Sequence, residues 1–119
     1  QGAILATGFP FKQPNLMPTQ FAMMNALIEN AADFRRTGSA ALDLCYVASG
    51  RIDGYFEMGL KAWDCAAGDL IVREAGGLVC DFEGGSGYLR SGNIIAAPTR
   101  VLKDMLNKIR PCLGAEFKN

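Results

Sequence analysis

Two predicted helix starts and one predicted strand end carry the side chains best placed for chemistry. In Trp63-Asp64-Cys65-Ala66-Ala67-Gly68 a carboxylate stands at the head of a helix, where the positive end of the helix dipole favours its ionised form. Asp is a common N-cap at such a position. The small residues that follow also let a ligand or another backbone approach, so an ionised carboxylate and free helix N–H groups could bring a hard divalent cation and a phosphate together. Gly38-Ser39-Ala40-Ala41 is a second start of this kind. Ser39 reads as a plain N-cap, and the same N–H groups and hydroxyl could receive an anion or a polyol. Glu57 ends a predicted strand seven residues before Asp64. It is either a surface carboxylate or a third member of the site, because ligands in α/β folds collect where strand carboxyl ends meet helix N-termini.

Composition narrows the chemistry further. The 119 residues include no histidine, which excludes Ser-His-Asp and Cys-His nucleophiles and the HExxH and Cys2His2 metal sites. Catalysis must then use carboxylates, hydroxyls, amines, thiols or an oxygen-ligated metal. Cys45, Cys65, Cys80 and Cys112 form no CxxC pair and read as reduced core thiols of a cytoplasmic protein. Twelve basic residues balance twelve acidic ones, so bulk electrostatics name no polyanion partner. No apolar run approaches the roughly 20 residues of a membrane-spanning helix. Gly84-Gly85-Ser86-Gly87 resembles a phosphate loop in composition only: it lacks the GxxxxGK[ST] pattern and no helix is expected directly after it, so it reads as a turn. Glu74 and Trp63 read as structural, and Arg35-Arg36 as a solvated face or a subunit anchor.

The elements that must position these residues follow from periodicity. An opening strand within Gln1–Gly8 and a Pro-punctuated loop lead into a helix from about Pro18, with Phe21, Met24, Ile28 and Ala31 at helical spacing. Ser39 begins a second helix with Ala41, Leu44, Cys45 and Ala48 on its apolar face, and Gly50 ends it. Ile52 to Glu57 reads as a strand. In the third helix Asp64 is placed to cap the start, Trp63, Ala66, Ala67, Leu70, Ile71 and Ala75 keep the period, and Gly76-Gly77 end it. Leu78–Phe82 and Asn93–Ala97 read as strands, and Pro98-Thr99 opens a closing helix with Val101, Leu102, Met105, Leu106 and Ile109 on one side. The tail after Pro111 is expected to be loose. Strands alternating with helices imply an α/β or layered α+β fold without an internal repeat.

Taken together, Gly38-Ser39-Ala40-Ala41-Leu42-Asp43-Leu44, Gly54-Tyr55-Phe56-Glu57, Trp63-Asp64-Cys65-Ala66-Ala67-Gly68 and Arg73-Glu74-Ala75-Gly76-Gly77 resemble the C-terminal half of the inositol monophosphatase family, closest to its bacterial branch. The resemblance runs over essentially the whole chain. It implies the five-layered αβαβα sugar-phosphatase fold, a homodimer, Mg²⁺ dependence with lithium inhibition, and hydrolysis of inositol monophosphate or related sugar phosphates. In that chemistry a metal-activated water attacks phosphorus and the cations neutralise charge on the leaving alkoxide. By position Asp64 matches the family's metal- and substrate-contacting Asp, Gly38, Ser39 and Ala40 match its inositol-contacting segment, and Glu57 matches the Glu that hydrogen-bonds the sugar hydroxyls. The GE-containing segment and the DPxDGTxN motif, which carry most of the family's metal ligands, do not occur here. Residues 1–119 are therefore expected to be the C-terminal half of such a domain, inactive alone, with the N-terminal metal-binding half outside this sequence. Bacterial relatives that associate with the transcription machinery make a regulatory, binding role the alternative expectation.

Overall fold

The apolar run at the head of the chain becomes strand β1 (Ala3–Thr7) in the computed structural model, which describes residues 2–114. Pro18 sits in the first turn of α1 (Met17–Leu27), where its fixed φ suits a helix start and its missing N–H is not needed. A 3₁₀ turn at Ile28–Asn30 delivers the chain to β2 (Ala31–Arg35). Then follow α2 (Ala40–Ala48), β3 (Gly54–Glu57), α3 (Ala62–Glu74) and β4 (Leu78–Cys80). A single helical turn α4 (Tyr88–Ser91), β5 (Ile94–Ala97) and α5 (Thr99–Ile109) complete the described fold.

The five strands lie in the order β2-β1-β3-β5-β4. β1 runs parallel to both β2 and β3, and β5 runs antiparallel to β3 and β4. The connection from β1 to β2 steps one way along the sheet and the connection from β2 to β3 steps back across β1. Because parallel crossovers are right-handed, this reversal puts α1 and α2 on opposite faces. The two cores record it. Met23 and Leu27 of α1 and Leu102, Met105 and Ile109 of α5 pack on Leu5, Phe56 and Ile95. Leu44 and Val47 of α2 and Cys65 and Val72 of α3 pack on Ala6, Tyr55, Ile94 and Ala96. All four residues of β5 are buried, as a central strand covered on both sides requires. The result is a three-layer α/β/α unit, in agreement with the expected fold class.

Four expectations need correction. On α2 the inward residues are Asp43, Leu44 and Val47, whereas Ala41 and Cys45 of the expected apolar face are exposed. Strand β2 is absent from the sequence reading, which continues the first helix to Ala31. Ala31-Ala32-Asp33-Phe34-Arg35 holds no β-branched residue, and it is the pairing with β1 rather than propensity that makes it a strand. The phase of α1 is also different: Gln20, Met23 and Leu27 face inward, whereas Phe21 and Ile28 are 57% and 58% exposed. That helix is apolar nearly all round, so periodicity fixes its existence without its orientation. In α3 the buried residues are Cys65, Gly68 and Val72, while the predicted face of Trp63, Leu70 and Ile71 points outward. This helix carries two apolar stripes.

Gly68 lets α2 and α3 meet, since a Cβ there would fall on Leu44 Cδ1 and Leu44 is fully buried. Gly68→Ala is therefore expected to destabilise the fold by about 1–3 kcal/mol, the usual cost of overpacking a closed contact, measurable as a lower urea midpoint. The Gly-rich stretch is a turn, as expected, although α4 follows it directly. The N–H groups of Glu83, Gly85 and Gly87 donate to the Asp81 carboxylate at 2.9, 2.7 and 2.9 Å. An internal carboxylate thus takes the donors that a phosphate loop would offer its ligand. All four thiols are free, with Cys65 and Cys80 buried and Cys45 exposed rather than in the core. The expected loose tail falls largely on 115–119, outside the described residues. Among the described residues no helix is long and apolar enough to cross a membrane.

Candidate functional site

The reversal of strand order at β1 leaves a crevice beyond the carboxyl ends of β1 and β3, the place where open α/β sheets bind ligands. A small cavity of about 90 Å³ occupies it, lined by Gly8 and Phe9 after β1, Glu57 at the end of β3, and Arg36, Gly38, Ser39, Ala40 and Asp43 around the start of α2. Four of the five residues singled out by sequence, Gly38, Ser39, Ala40 and Glu57, are therefore brought together.

The start of α2 is built by local chemistry. Gly38 takes φ +84°, a left-handed conformation that costs a residue with a Cβ roughly 1–2 kcal/mol. Ser39 is the N-cap, its Oγ accepting the Leu42 N–H at 3.3 Å. Its own N–H donates to Thr37 Oγ1 at 3.1 Å. The Thr37 hydroxyl in turn donates to Asp43 Oδ1 at 2.9 Å. Asp43 is buried, and desolvation raises its pKa against the opposing Thr37 hydrogen bond. Replacing it by Asn keeps an oxygen for Thr37 and removes a buried charge. A carboxyl whose folded pKa lies above its unfolded value opposes folding as it ionises, so Asp43→Asn is expected to raise the melting temperature at pH 7. The gain should disappear as pH falls below the ordinary carboxylate range, where both states hold the proton.

Glu57 is half-buried against Gly8. A Cβ on Gly8 would lie 2.5 Å from Glu57 Oε1 and 2.9 Å from Oε2, so only glycine at the end of β1 leaves room for this carboxylate. The Tyr55 hydroxyl, two residues back on the same face of β3, donates to Glu57 Oε1. Burial raises the Glu57 pKa; the Tyr55 bond lowers it, the charges of Asp43 and Asp64 raise it, and Arg36 lowers it. Tyr55 is itself pushed far up by burial and by Glu57, so it remains a hydrogen donor. One oxygen of Glu57 is thereby anchored, and Oε2 is left for a ligand donor.

Asp64 does not line this cavity. It lies in the first turn of α3 rather than at the cap, which is Lys61, because Ala62 and Trp63 already belong to the helix. It remains within reach of the helix dipole, half-buried, and its charge is felt at Glu57. Trp63 is 69% exposed, with the Lys61 ammonium 5.7 Å from its ring centre, and so is not packed as expected. Cys65, next to Asp64, is no nucleophile: burial and then Asp64 and Glu57 raise its thiol to about 11, and Sγ points to the Tyr88 carbonyl at 3.6 Å. Gly8, Asp43 and Tyr55 escape a motif reading. The strand-end rule that selected Glu57 would also have selected Gly8 had the order of β1 and β3 been known.

The sequence profile of the inositol monophosphatase family matches residues 1–115. The chain belongs to that family. It is 88% identical over 119 residues to the Nus factor SuhB of Haemophilus influenzae, covering all of this chain and 45% of that protein. The crystal structure of the extragenic suppressor protein suhB from Bartonella henselae superposes with a TM-score of 0.86 at 40% identity, over 92% of this chain and 42% of that one. The inositol monophosphatase of Anabaena sp. PCC 7120 gives a TM-score of 0.85 at 32% identity, over 97% and 46%. The chain thus spans less than half the length of these relatives. Among its described residues no three Asp, Glu, Cys or His side chains come together to hold a metal ion. Asp64 alone does not make a site for Mg²⁺, which takes several oxygen ligands in octahedral geometry.

Proposed function

We propose that the intact protein is a Mg²⁺-dependent phosphomonoesterase acting on inositol monophosphate or a related sugar phosphate. In this reading the 119 residues supply the polyol-recognition side and one metal ligand, Asp64. The observation that carries it is the convergence of Gly38, Ser39, Ala40 and Glu57 on one cavity at the switch point of the sheet. There the first N–H groups of α2 donate to ligand oxygens, the Ser39 hydroxyl keeps its hydrogen to donate, and Glu57 Oε2 accepts from a sugar hydroxyl. The other metal ligands come from polypeptide outside this chain, which the family resemblance puts upstream, and the chain by itself is inactive. The outward stripe of Trp63, Leu70 and Ile71 on α3 supports this reading, because a helix apolar on two sides belongs between two layers. That packing turns three layers into the family's five. Two copies of the completed protein form the homodimer.

Release of inorganic phosphate from inositol 1-phosphate by the full-length protein, titrated with Mg²⁺, is the direct test; no release at any Mg²⁺ concentration overturns the proposal. Within it, Gly8→Ala is expected to raise KM by roughly tenfold, since it displaces the one carboxylate placed for the sugar hydroxyls, and a charge-assisted hydrogen bond is worth about 1.5–3 kcal/mol. Its melting temperature should move little, because the displaced group is half-exposed.

The name of the 88%-identical relative, a Nus factor, favours a second role for the whole protein as a partner of the transcription machinery. The two roles separate cleanly. If a full-length Asp64→Asn protein loses phosphatase activity yet still retains an RNA polymerase-associated partner in a pull-down, the binding role stands independently of the chemistry.

A further inference from the structure

Among the described residues the buried polar side chains are Thr7, Gln20 and Asp43, and Asp43 lines the cavity beside Glu57. The other two meet on the opposite face of the sheet. Gln20 shares the inward face of α1 with Met23 and Leu27, at a spacing where a third apolar residue would pack. It is fully buried, so its amide gives up water for whatever partners it finds. Its Nε2 donates to Thr7 Oγ1 at 3.0 Å, while no donor among the described residues reaches its Oε1. An amide half-satisfied in an apolar layer costs stability relative to leucine. The bond it does make leads toward the cavity. Thr7 ends β1 and stands opposite Phe56 of β3, one position before Gly8, as Phe56 is before Glu57. A threonine hydroxyl has one hydrogen. With the Gln20 N–H directed at the oxygen, that hydrogen goes to the Gly8 carbonyl at 3.3 Å. Gly8 is the residue whose missing Cβ leaves room for the Glu57 carboxylate, and Gly8 and Phe9 wall the cavity. A relay of two hydrogen bonds thus runs from α1 to the peptide against which Glu57 rests.

We propose that Gln20 is a positioning residue for polyol binding: through Thr7 it fixes the Gly8 peptide, and with it the place that Glu57 takes toward a sugar hydroxyl. The inference rests on the polyol-binding reading of that cavity. It gives Gln20 a share in KM and none in the chemical step, because the relay ends at Gly8 and does not touch Asp64.

The test is steady-state hydrolysis of inositol 1-phosphate by the full-length protein, with melting temperatures measured beside it. Gln20→Leu, close to the amide in size, is expected to raise KM about fivefold with little change in kcat, the effect of losing one neutral hydrogen bond from binding. Its melting temperature should stay level or rise, since a half-satisfied buried amide is gone. Thr7→Val should raise KM as much but melt lower, because it leaves the Gln20 amide with no partner, and Thr7→Ser should keep the parent KM. The double variant Gln20→Leu, Thr7→Val should have the KM of either single variant, since both substitutions break the same relay. Inhibition by inorganic phosphate, which carries no polyol, should be unchanged throughout. A merely structural role would move KM and melting temperature together. A parent KM in Gln20→Leu, or effects on KM that multiply in the double variant, overturns the relay. Glu57→Ala separates the two readings: if it raises KM while Gln20→Leu does not, only the relay falls. If Glu57→Ala keeps the parent KM, or the parent protein releases no phosphate, the polyol site falls and the relay with it.

Discussion

Asp64→Asn in the full-length protein is expected to lower kcat/KM for inositol 1-phosphate on the order of 10³-fold, equivalent to about 4 kcal/mol of lost transition-state stabilisation. The amide preserves size and the place in the first turn of α3 but removes the negative charge that a hard cation requires. The Mg²⁺ concentration giving half-maximal activity should rise, and the melting temperature without metal should not fall. Asp64 is half-buried and acts on Glu57 as a like charge, so its removal relieves repulsion at the site. A variant with parent activity at the parent Mg²⁺ requirement would remove Asp64 from the metal-binding role.

The second large effect is on stability. Gly92 has φ +77°, and a Cβ on it would stand 2.5 Å from the carbonyl oxygen of Leu60 and 2.6 Å from its nitrogen. Backbone cannot rotate aside as a side-chain tip can. The contact exists because the Leu60 N–H donates to the Gly92 carbonyl at 2.8 Å, and Gly59 N–H donates to Asn93 Oδ1 at 3.2 Å. These two bonds pin the loop between Glu57 and Asp64 to the start of β5, so they set the spacing of the two acidic residues. Gly92→Ala combines a left-handed conformation with an overpacked backbone, an expected loss of about 3 kcal/mol. In a full-length protein of its relatives' size that corresponds to a fall of about 10 °C in melting temperature. Activity should drop as well, because the loop must move. A melting temperature within about a degree of the parent, well inside the scale of a single kcal/mol, would mean that the loop is not held there.

Much of the site was legible before any fold was known. Ser39 caps α2 as its residue type predicts, and the small residues around it and Glu57 at a strand end were identifiable from position alone. Asp64 is a candidate by the same reasoning, although the helix begins earlier and the residue sits inside the first turn. What the motif could not supply was the support. Gly8 is separated from Glu57 by nearly fifty residues of chain, and its role depends on β1 and β3 being neighbours.

Secondary structure divides along the same line. Capping, turn glycines and apolar period are properties of a few consecutive residues, so the sequence alone determined the order of the four longer helices, four of the five strands, the α/β class and the family to which the chain belongs. The edge strand β2, the inward faces of α1, α2 and α3, and the meeting of Gly8 with Glu57 depend on what lies opposite in space. Periodicity states that a helix has an apolar stripe; only a packed neighbour decides which stripe is buried. The tertiary structure decided those features because hydrophobic burial and charge repulsion act between residues brought together by the sheet, whatever their distance along the chain.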